Sequence, residues 1–265
     1  MGAQMSEVWR GTWVVAYREI LRFVGDRSRA FSSLLMPLLF LVVFGAGFNK
    51  VMGPLARGVD YIRFMYPGIL AMTVLTGSLF AGISVVWDRE FGFLKEILVA
   101  PLGRTGIVLG KAIGGTVVVL LQALVMLVLA PILGVALSPG LVLTLVPVVV
   151  LLSLGLSGLG ILIASFMQSQ QGFQMLVQIL IFPLIFLAGV FFPVNDVPGW
   201  MEVISKVNPL TYGVDAIRQI FLGGNTGLGV TVLGHVMSLG EEVLMIGLLG
   251  AVLLGGAVLS FNRQE

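Results

Sequence analysis

Long apolar runs alternate with short polar segments along most of the chain. Six of these runs are near or above the roughly 20 residues that a helix needs to cross a bilayer. They cover residues 30–48, 64–86, 112–137, 141–167, 172–192 and 243–261. The pattern therefore predicts an all-α integral membrane protein with six transmembrane helices.

The segment before the first apolar run has a helical pattern but is too polar to span a membrane. At 100° per residue, Trp9 and Trp13 share one face of residues 7–24, whereas Arg18 and Arg22 lie on the opposite face. Arginines opposite tryptophans are typical of a helix that lies in the membrane interface, and we expect residues 1–29 to form such an element. An amphipathic helix packed on protein is the alternative.

Residues 88–111 interrupt the apolar pattern with seven charged side chains. Such an island between two membrane-length runs is expected to lie in water at one face of the bilayer. Its first half is predicted to be a short helix with two apolar stripes, ended by Pro101 and Gly103. A helix of this kind could contact the membrane domain and a soluble partner at once. The candidate docking residues are Arg89, Glu90, Phe91, Phe93, Leu94, Lys95, Glu96 and Ile97.

Residues 193–240 are too polar to span and too apolar for a free loop. Two short helices are predicted near residues 200–207 and 211–221, separated by Asn208-Pro209. We expect them to be re-entrant helices that dip into or lie on the outer leaflet, with an extracellular cap without a role in transport as the alternative. The candidate residues of this region are Asn208, Pro209, Tyr212, Asp215 and Arg218.

The distribution of basic residues predicts the orientation. With the N-terminus inside, ten of the fifteen lysines and arginines fall on the inner segments. This excess favours both termini in the cytoplasm. We expect residues 1–265 to form one membrane domain, with spans one to five in 30–192, the outer helices in 193–240, and the last span and tail in 241–265.

The composition excludes several kinds of chemistry. The chain is 58% hydrophobic and 11% charged, with a mean hydropathy of +1.07, whereas soluble domains are about 25% charged. It has no cysteine and one histidine, so we expect no metal, cofactor or catalytic site. Residues 106–112 resemble a phosphate-binding loop, but the spacing is one residue short and Ala112 stands where Ser or Thr is needed. Gly110 and Gly114 instead have the spacing of close helix contacts.

The polar side chains within the predicted spans are few. By the boundaries above, no ionisable residue lies in the middle of a span, which disfavours an ion-driven transporter. Glu241 and Glu242 precede the last span, where acidic residues favour a helix N-terminus. Gln122, Gln174 and Gln178 either line a path or form hydrogen bonds between helices.

Two segments carry a resemblance to a known family. REFGFLKEILVAPLGRTGIVLGK (89–111) and NPLTYGVDAIRQIFLGG (208–224) resemble the membrane subunits of type-2 ABC exporters. These include drug-resistance permeases of the daunorubicin type and exporters of polysaccharides and lipids. The resemblance covers nearly the whole chain and does not indicate the cargo.

The resemblance implies a function for the whole chain and for its parts. Residues 89–98 would be the coupling helix that docks on an ATPase, and the chain would be a half-size permease in the bacterial inner membrane. Two permease chains would assemble with two ATPases, which bind ATP and magnesium, and nucleic acid is not an expected partner. The alternative function is a membrane scaffold or assembly factor without transport activity.

Overall fold

The computed structural model describes residues 2–52, 61–92, 104–194, 197–223, 229–232 and 235–263. The helices in these ranges form one bundle, and a short hairpin lies beside it. The helices are α1 (Gly2–Gly25), α2 (Arg27–Met52), α3 (Tyr61–Phe80), α4 (Ile83–Glu90), α5 (Arg104–Leu129), α6 (Pro139–Phe166), α7 (Gln170–Phe186), α8 (Gly199–Val207), α9 (Pro209–Leu222) and α10 (Leu239–Arg263), with a 3-10 turn at Ala130–Leu133. Strands β1 (Thr231–Val232) and β2 (His235–Val236) pair antiparallel, with Thr231 opposite Val236.

The predicted all-α membrane fold is confirmed. Within the described ranges, four segments are long and apolar enough to cross a membrane: Tyr61–Glu90, Arg104–Leu133, Pro139–Phe166 and Leu239–Arg263. The first and fifth predicted spans correspond to the shorter apolar helices Phe31–Gly45 and Gln170–Phe186. A count of six crossings therefore remains a prediction.

The second predicted span lies at the centre of the bundle. In its most apolar window 78% of the residues are buried, against 11% in the corresponding window of α10. The α-helix is interrupted at Ala81–Gly82, between α3 and α4, where Gly82 is so close to the backbone of Gly160 in α6 that a Cβ at Gly82 would collide with it. Helix α4 lies beside α6 and α7.

Small residues bring α6 and α10 into close contact. A Cβ added at Gly155 would lie 2.6 Å from Cα of Gly250, and one added at Gly158 would lie 2.7 Å from Cα of Leu254. The helix backbones therefore approach each other without large side chains between them.

The two short helices predicted near Asn208 are present as α8 and α9. Asn208 separates them, its Oδ1 accepts a hydrogen bond from the Leu210 amide at 3.0 Å, and Pro209 occupies the first turn of α9. The longer of the two has 14 residues, or about 21 Å at 1.5 Å per residue, which is too short to cross a bilayer core of about 30 Å.

Two predicted span boundaries differ from the structure. Helix α5 begins at Arg104 rather than near Ala112, and α7 ends at Phe186 rather than at Phe192. The chain after Phe186 forms a turn in which Gly189 has a positive φ of 77°, and Val190 packs against Gly68 of α3. The early start of α5 brings Lys111 inside the bundle.

Candidate coupling site

Four charged side chains from three helices form a cluster at the end of α4. We call Arg18, Glu19, Asp88 and Lys111 the tetrad. Oδ2 of Asp88 accepts hydrogen bonds from Nζ of Lys111 at 2.6 Å and from an Nη of Arg18 at 2.8 Å. Oε1 of Glu19 lies 3.7 Å from Nζ of Lys111 and 3.6 Å from the same guanidinium. The tetrad thus contains two positive and two negative groups that share contacts.

Asp88 and Lys111 of the tetrad are buried, which corrects the expectation that the whole of residues 88–111 lies in water. Only 2% of the Asp88 side chain and 1% of the Lys111 side chain are exposed. Nζ of Lys111 also donates to Oγ of Ser84 at 2.9 Å, one turn before Asp88 in α4. Charges are tolerated inside a bundle when they are paired and hydrogen-bonded, and these contacts explain why both ends of the charged stretch are buried.

Glycines on α5 bring α1 close enough to complete the tetrad. A Cβ added at Gly110 would lie 2.8 Å from the carbonyl oxygen of Thr12, and one at Gly114 would lie 2.9 Å from Cβ of Glu19. The predicted close contact at this pair of glycines is therefore present, and its partner is α1. Close packing here places Arg18 and Glu19 beside the ends of α4 and α5.

The last residues of α4 bind the connection between α6 and α7. An Nη of Arg89 donates to the carbonyl oxygens of Ser165 at 3.1 Å and Met167 at 2.6 Å. Oε2 of Glu90 accepts from the amide of Gln170 at 3.1 Å. The guanidinium of Arg89 thus contacts carbonyls at the C-terminus of α6, and the carboxylate of Glu90 contacts the N-terminus of α7. Helix dipoles favour a cation at the C-terminus and an anion at the N-terminus. These contacts fasten the end of α4 to two further helices.

The rest of the predicted docking helix is only partly described. Helix α4 ends at Glu90, Gly92 has a positive φ of 79°, and 69% of Phe91 is exposed. The continuous helix predicted across residues 89–98 is therefore interrupted before Phe93. Phe93, Leu94, Lys95, Glu96 and Ile97 lie outside the described residues.

The N-terminal helix has two different faces. Trp9 and Trp13 are 68% and 73% exposed, whereas Ala16 packs on α5. Beyond the tetrad, the guanidinium carbon of Arg22 lies 5.2 Å from the ring centroid of Trp87 in α4, within the range of a cation–π contact. Helix α1 therefore packs on protein along one face and presents tryptophans on the other, and its position in the membrane interface remains a prediction.

A second group of buried charges lies where α9 meets α10. We call Asp215, Arg218 and Glu242 the α9 cluster. Oδ2 of Asp215 accepts from the amide of Val230 at 2.6 Å. An Nη of Arg218 donates to the carbonyl of Gly189 at 2.6 Å, and its guanidinium carbon lies 4.1 Å from the ring centroid of Phe64.

The carboxylate of Glu242 has a less favourable environment. Its side chain is fully buried, and neither oxygen has a hydrogen-bond partner among the described residues. Tyr212, the other predicted residue of α9, donates its hydroxyl to the carbonyl of Lys206 at 2.6 Å. The predicted residues Tyr212 and Arg218 therefore connect α9 to α8 and to the turn at Gly189. The sequence did not reveal that Glu242 is buried next to them.

The described part of the chain was also compared with the ligand sets that hold metal ions. No group of three or more His, Asp or Glu side chains there could hold a metal ion. The tetrad mixes its two carboxylates with two cations at ion-pair distance. The arrangement can fasten helices together.

The sequence profile of the ABC-2 type transporter family matches residues 10–222. This range contains the tetrad, the α6–α7 connection and both α8 and α9. The chain belongs to the ABC-2 type transporter family. It is therefore a multi-pass membrane protein with a transport permease role, as the resemblance implied.

Named members of the ABC-2 family align with most of the chain. A putative transport permease (ycf38) of Cyanophora paradoxa is 34% identical over 194 residues, which cover 72% of this chain and 67% of that protein. Nodulation protein J of Rhizobium meliloti (strain 1021) is 29% identical over 217 residues, covering 80% and 81%. A probable doxorubicin resistance ABC transporter permease protein (DrrC) of Mycobacterium tuberculosis (strain ATCC 25618 / H37Rv) is 28% identical over 215 residues, covering 78% and 75%.

Proposed function

We propose that the chain is the permease subunit of an ATP-driven exporter and that residues 89–103 receive movement from a separate ATPase. The observation that carries the proposal is the attachment of this stretch on both sides. Just before it, Asp88 binds α1 and α5 through the tetrad, and its first two residues, Arg89 and Glu90, bind the α6–α7 connection. Directly after residue 103, Arg104 is the first residue of α5, and its guanidinium donates to the carbonyl of Asn262 in α10 at 3.1 Å.

These attachments support a mechanical role for the stretch. A protein bound between Phe91 and Arg104 would pull or push on α1, α4, α5, α6 and α7 together, since contacts around the stretch join all of them. A path between two permease chains would open when the two ATPases close on ATP and magnesium. In this assembly both termini and residues 89–103 lie in the cytoplasm, and the chain resides in the bacterial inner membrane.

The docking contact is tested with single substitutions. Phe91→Ala and Phe93→Ala remove aromatic side chains that would fill a cleft of the ATPase. Glu96→Ala removes a charge at the solvent-exposed edge of the proposed contact. Losing a buried aromatic costs about 3–5 kcal/mol in a core, and half of that lowers affinity by about tenfold or more. An exposed ion pair contributes about 0–1 kcal/mol.

The measurement is co-purification of the tagged permease with an ATPase subunit from native membranes, with unchanged insertion of the variant as the control. At least one phenylalanine variant should lose the ATPase, whereas Glu96→Ala should keep it. Retention of the ATPase and of its stimulated activity by both phenylalanine variants would place docking elsewhere. The recovery of no ATPase with the native chain would favour a scaffold role.

Orientation is tested by labelling, because the sequence has no cysteine. Arg104→Cys and Val207→Cys place thiols at two exposed positions, Val207 being 73% exposed, whereas Asn208 is buried. In intact cells an impermeant maleimide should label position 207 and should label position 104 only after the membrane is opened. Labelling of position 104 from outside would reverse the proposed orientation.

A further inference from the structure

A cavity of about 420 Å³ lies within the bundle beside the tetrad. Side chains from α1, α2, α3, α4, α5 and α7 line it. Its apolar wall includes Phe23, Met36, Met72, Phe80 and Trp87. Its size falls within the range of about 300–1,000 Å³ that is typical of sites for small organic ligands.

Part of the cavity lining is polar and carries no charge. Ser33, Thr76, Gln122 and Gln174 contribute hydroxyl and amide groups. Nε2 of Gln122 donates to Oγ of Ser33 at 2.9 Å, which joins α5 to α2. No Asp, Glu, Lys or Arg lines the cavity among the described residues, so a charged ligand would lose its hydration there without gaining a counter-ion.

Two side-chain amides in this part of the lining have unused hydrogen-bonding capacity. Gln122 is 4% exposed, and its Oε1 has no hydrogen-bond partner in the described part of the chain. The amide of Gln174 on α7 also has no hydrogen bond within the described ranges. Unmade hydrogen bonds of buried polar groups are costly, and this cost falls on Gln122, since Gln174 is only partly buried. A ligand with a hydroxyl or amide end would supply a partner for Gln174 and, after rotation of its amide, for Gln122.

We propose that this cavity binds an uncharged amphiphile, with its apolar body against Phe23, Met72 and Phe80 and its hydroxyl or amide end at Gln122 and Gln174. Binding itself needs no ATPase, whereas the identification of the ligand as cargo rests on the proposed function. The ligand comes either from the membrane, as an uncharged lipid, or from the cell interior, as a small neutral compound.

The cavity adjoins the tetrad. A smaller cavity of about 20 Å³ lies against Glu19 and Lys111 and shares Phe23, Gly77 and Val118 with the larger one. Trp87 forms part of the larger cavity and precedes Asp88 in α4. A ligand bound in the cavity would therefore contact the helices that attach residues 89–103 to the bundle.

Trp87 provides a reporter for binding. The other three tryptophans, Trp9, Trp13 and Trp200, are all largely exposed, so each is replaced by Phe to leave one fluorescent side chain. The isolated permease in detergent is titrated with a brominated long-chain alcohol, which quenches tryptophan on contact. Brominated fatty acid and brominated alkyltrimethylammonium of the same chain length serve as charged counterparts.

The alcohol should quench Trp87 saturably, at concentrations at least tenfold lower than either charged probe. Gln174→Leu should weaken binding of the alcohol by about threefold to tenfold, since it removes one hydrogen bond. Gln178→Leu, on the same helix but outside the cavity lining, should leave binding unchanged. Equal quenching by all three probes, or equal effects of the two leucine variants, would overturn the proposal.

Competition distinguishes the two sources. Unlabelled diacylglycerol should displace the brominated alcohol if the ligand is a membrane lipid, and a short-chain amide should displace it if the ligand is a small neutral compound. Displacement by neither would contradict the proposal as well. All of these binding measurements are made without an ATPase. Their outcome therefore does not depend on whether the docking test succeeds or fails.

Discussion

The tetrad and the α9 cluster bury charge in opposite ways. In the tetrad two carboxylates face two cations, and Oδ2 of Asp88 accepts from both of them. In the α9 cluster two carboxylates accompany a single arginine, which is bonded to a backbone carbonyl and stacked on Phe64. The carboxylate of Glu242 has no hydrogen-bond partner among the described residues. In the tetrad both acidic side chains lie within ion-pair distance of a cation, whereas the α9 cluster combines two acidic side chains with one arginine.

The difference shows where charge holds helices together and where it is an energetic burden. Breaking a buried, balanced ion pair leaves an uncompensated charge, so each member of such a pair depends on the others. A buried acidic group without a paired cation is disfavoured in its charged form and contributes little to stability. We therefore expect loss of the acidic group to be harmful at Asp88 of the tetrad and harmless at Glu242.

The largest effect is expected from Asp88→Asn. It leaves Lys111 buried without its nearest anion, and breaking a buried pair in this way costs about 3–5 kcal/mol. The apparent Tm of the purified permease should fall, and co-purification of the ATPase should fall with it. The double change Asp88→Asn with Lys111→Met should recover part of the loss because no unpaired cation remains. If the double variant is less stable than Asp88→Asn alone, the ion pair is not the cause.

The next largest effect is expected from Gly114→Ala, which pushes α1 away from α5. The added Cβ would lie 2.9 Å from Cβ of Glu19 and 3.0 Å from Cα of Ala16, and overpacking of this kind typically costs about 1–3 kcal/mol. Thermal unfolding should shift accordingly. Gly255→Ala in α10 is the matched control, because nothing lies within 4 Å of a Cβ there. Equal shifts for the two variants would contradict the proposed α1–α5 contact.

A smaller effect is expected from Arg18→Gln. Arg18 is the most exposed member of the tetrad, with 37% of its side chain accessible, and Asp88 keeps Lys111 after the change. Exposed pairs contribute about 0–1 kcal/mol, so unfolding should shift by no more than this. A loss as large as that of Asp88→Asn would mean that both cations are equally necessary.

The smallest effect is expected from Glu242→Gln. The substitution keeps the shape of a buried acidic side chain that forms no ion pair within the described residues, so stability should be unchanged or slightly higher. The same isosteric change at Asp88 is the direct comparison, measured by thermal unfolding in the same detergent. A strong loss of stability at Glu242 would show that the two clusters do not differ in the way proposed.

The sequence predicted much of this fold because its signals are local. The apolar runs identified the long helices, and Asn208-Pro209 identified the break between α8 and α9 through the missing amide of proline and its effect on the preceding residue. Gly110 and Gly114 indicated a close helix contact. Each of these features depends on residues near one another in the chain.

The tetrad was missed because it depends on residues far apart in the chain. The third predicted span begins directly after Lys111, because a single lysine is expected to be solvated unless acidic side chains are known to lie beside it. Those anions, Asp88 and Glu19, come from two other helices, and no local pattern pairs them. The contact glycines beside Lys111 were the available signal, because a charged residue within a close helix contact needs a partner. The predicted place of Glu241 and Glu242 at a helix N-terminus is confirmed, but no local pattern indicated that the packing of α9 over the start of α10 buries Glu242.

The glycine contact between α6 and α10 also bears on how the protein is made. During synthesis α6 leaves the ribosome well before its partner, because α7, α8 and α9 lie between them in the chain. Until α10 follows, the face of α6 that carries Gly155 and Gly158 has no helix to cover it. Insertion of the early helices and closure of the bundle are thus separate events, and a nascent chain stalled before Leu239 would present this face to lipid or to a chaperone.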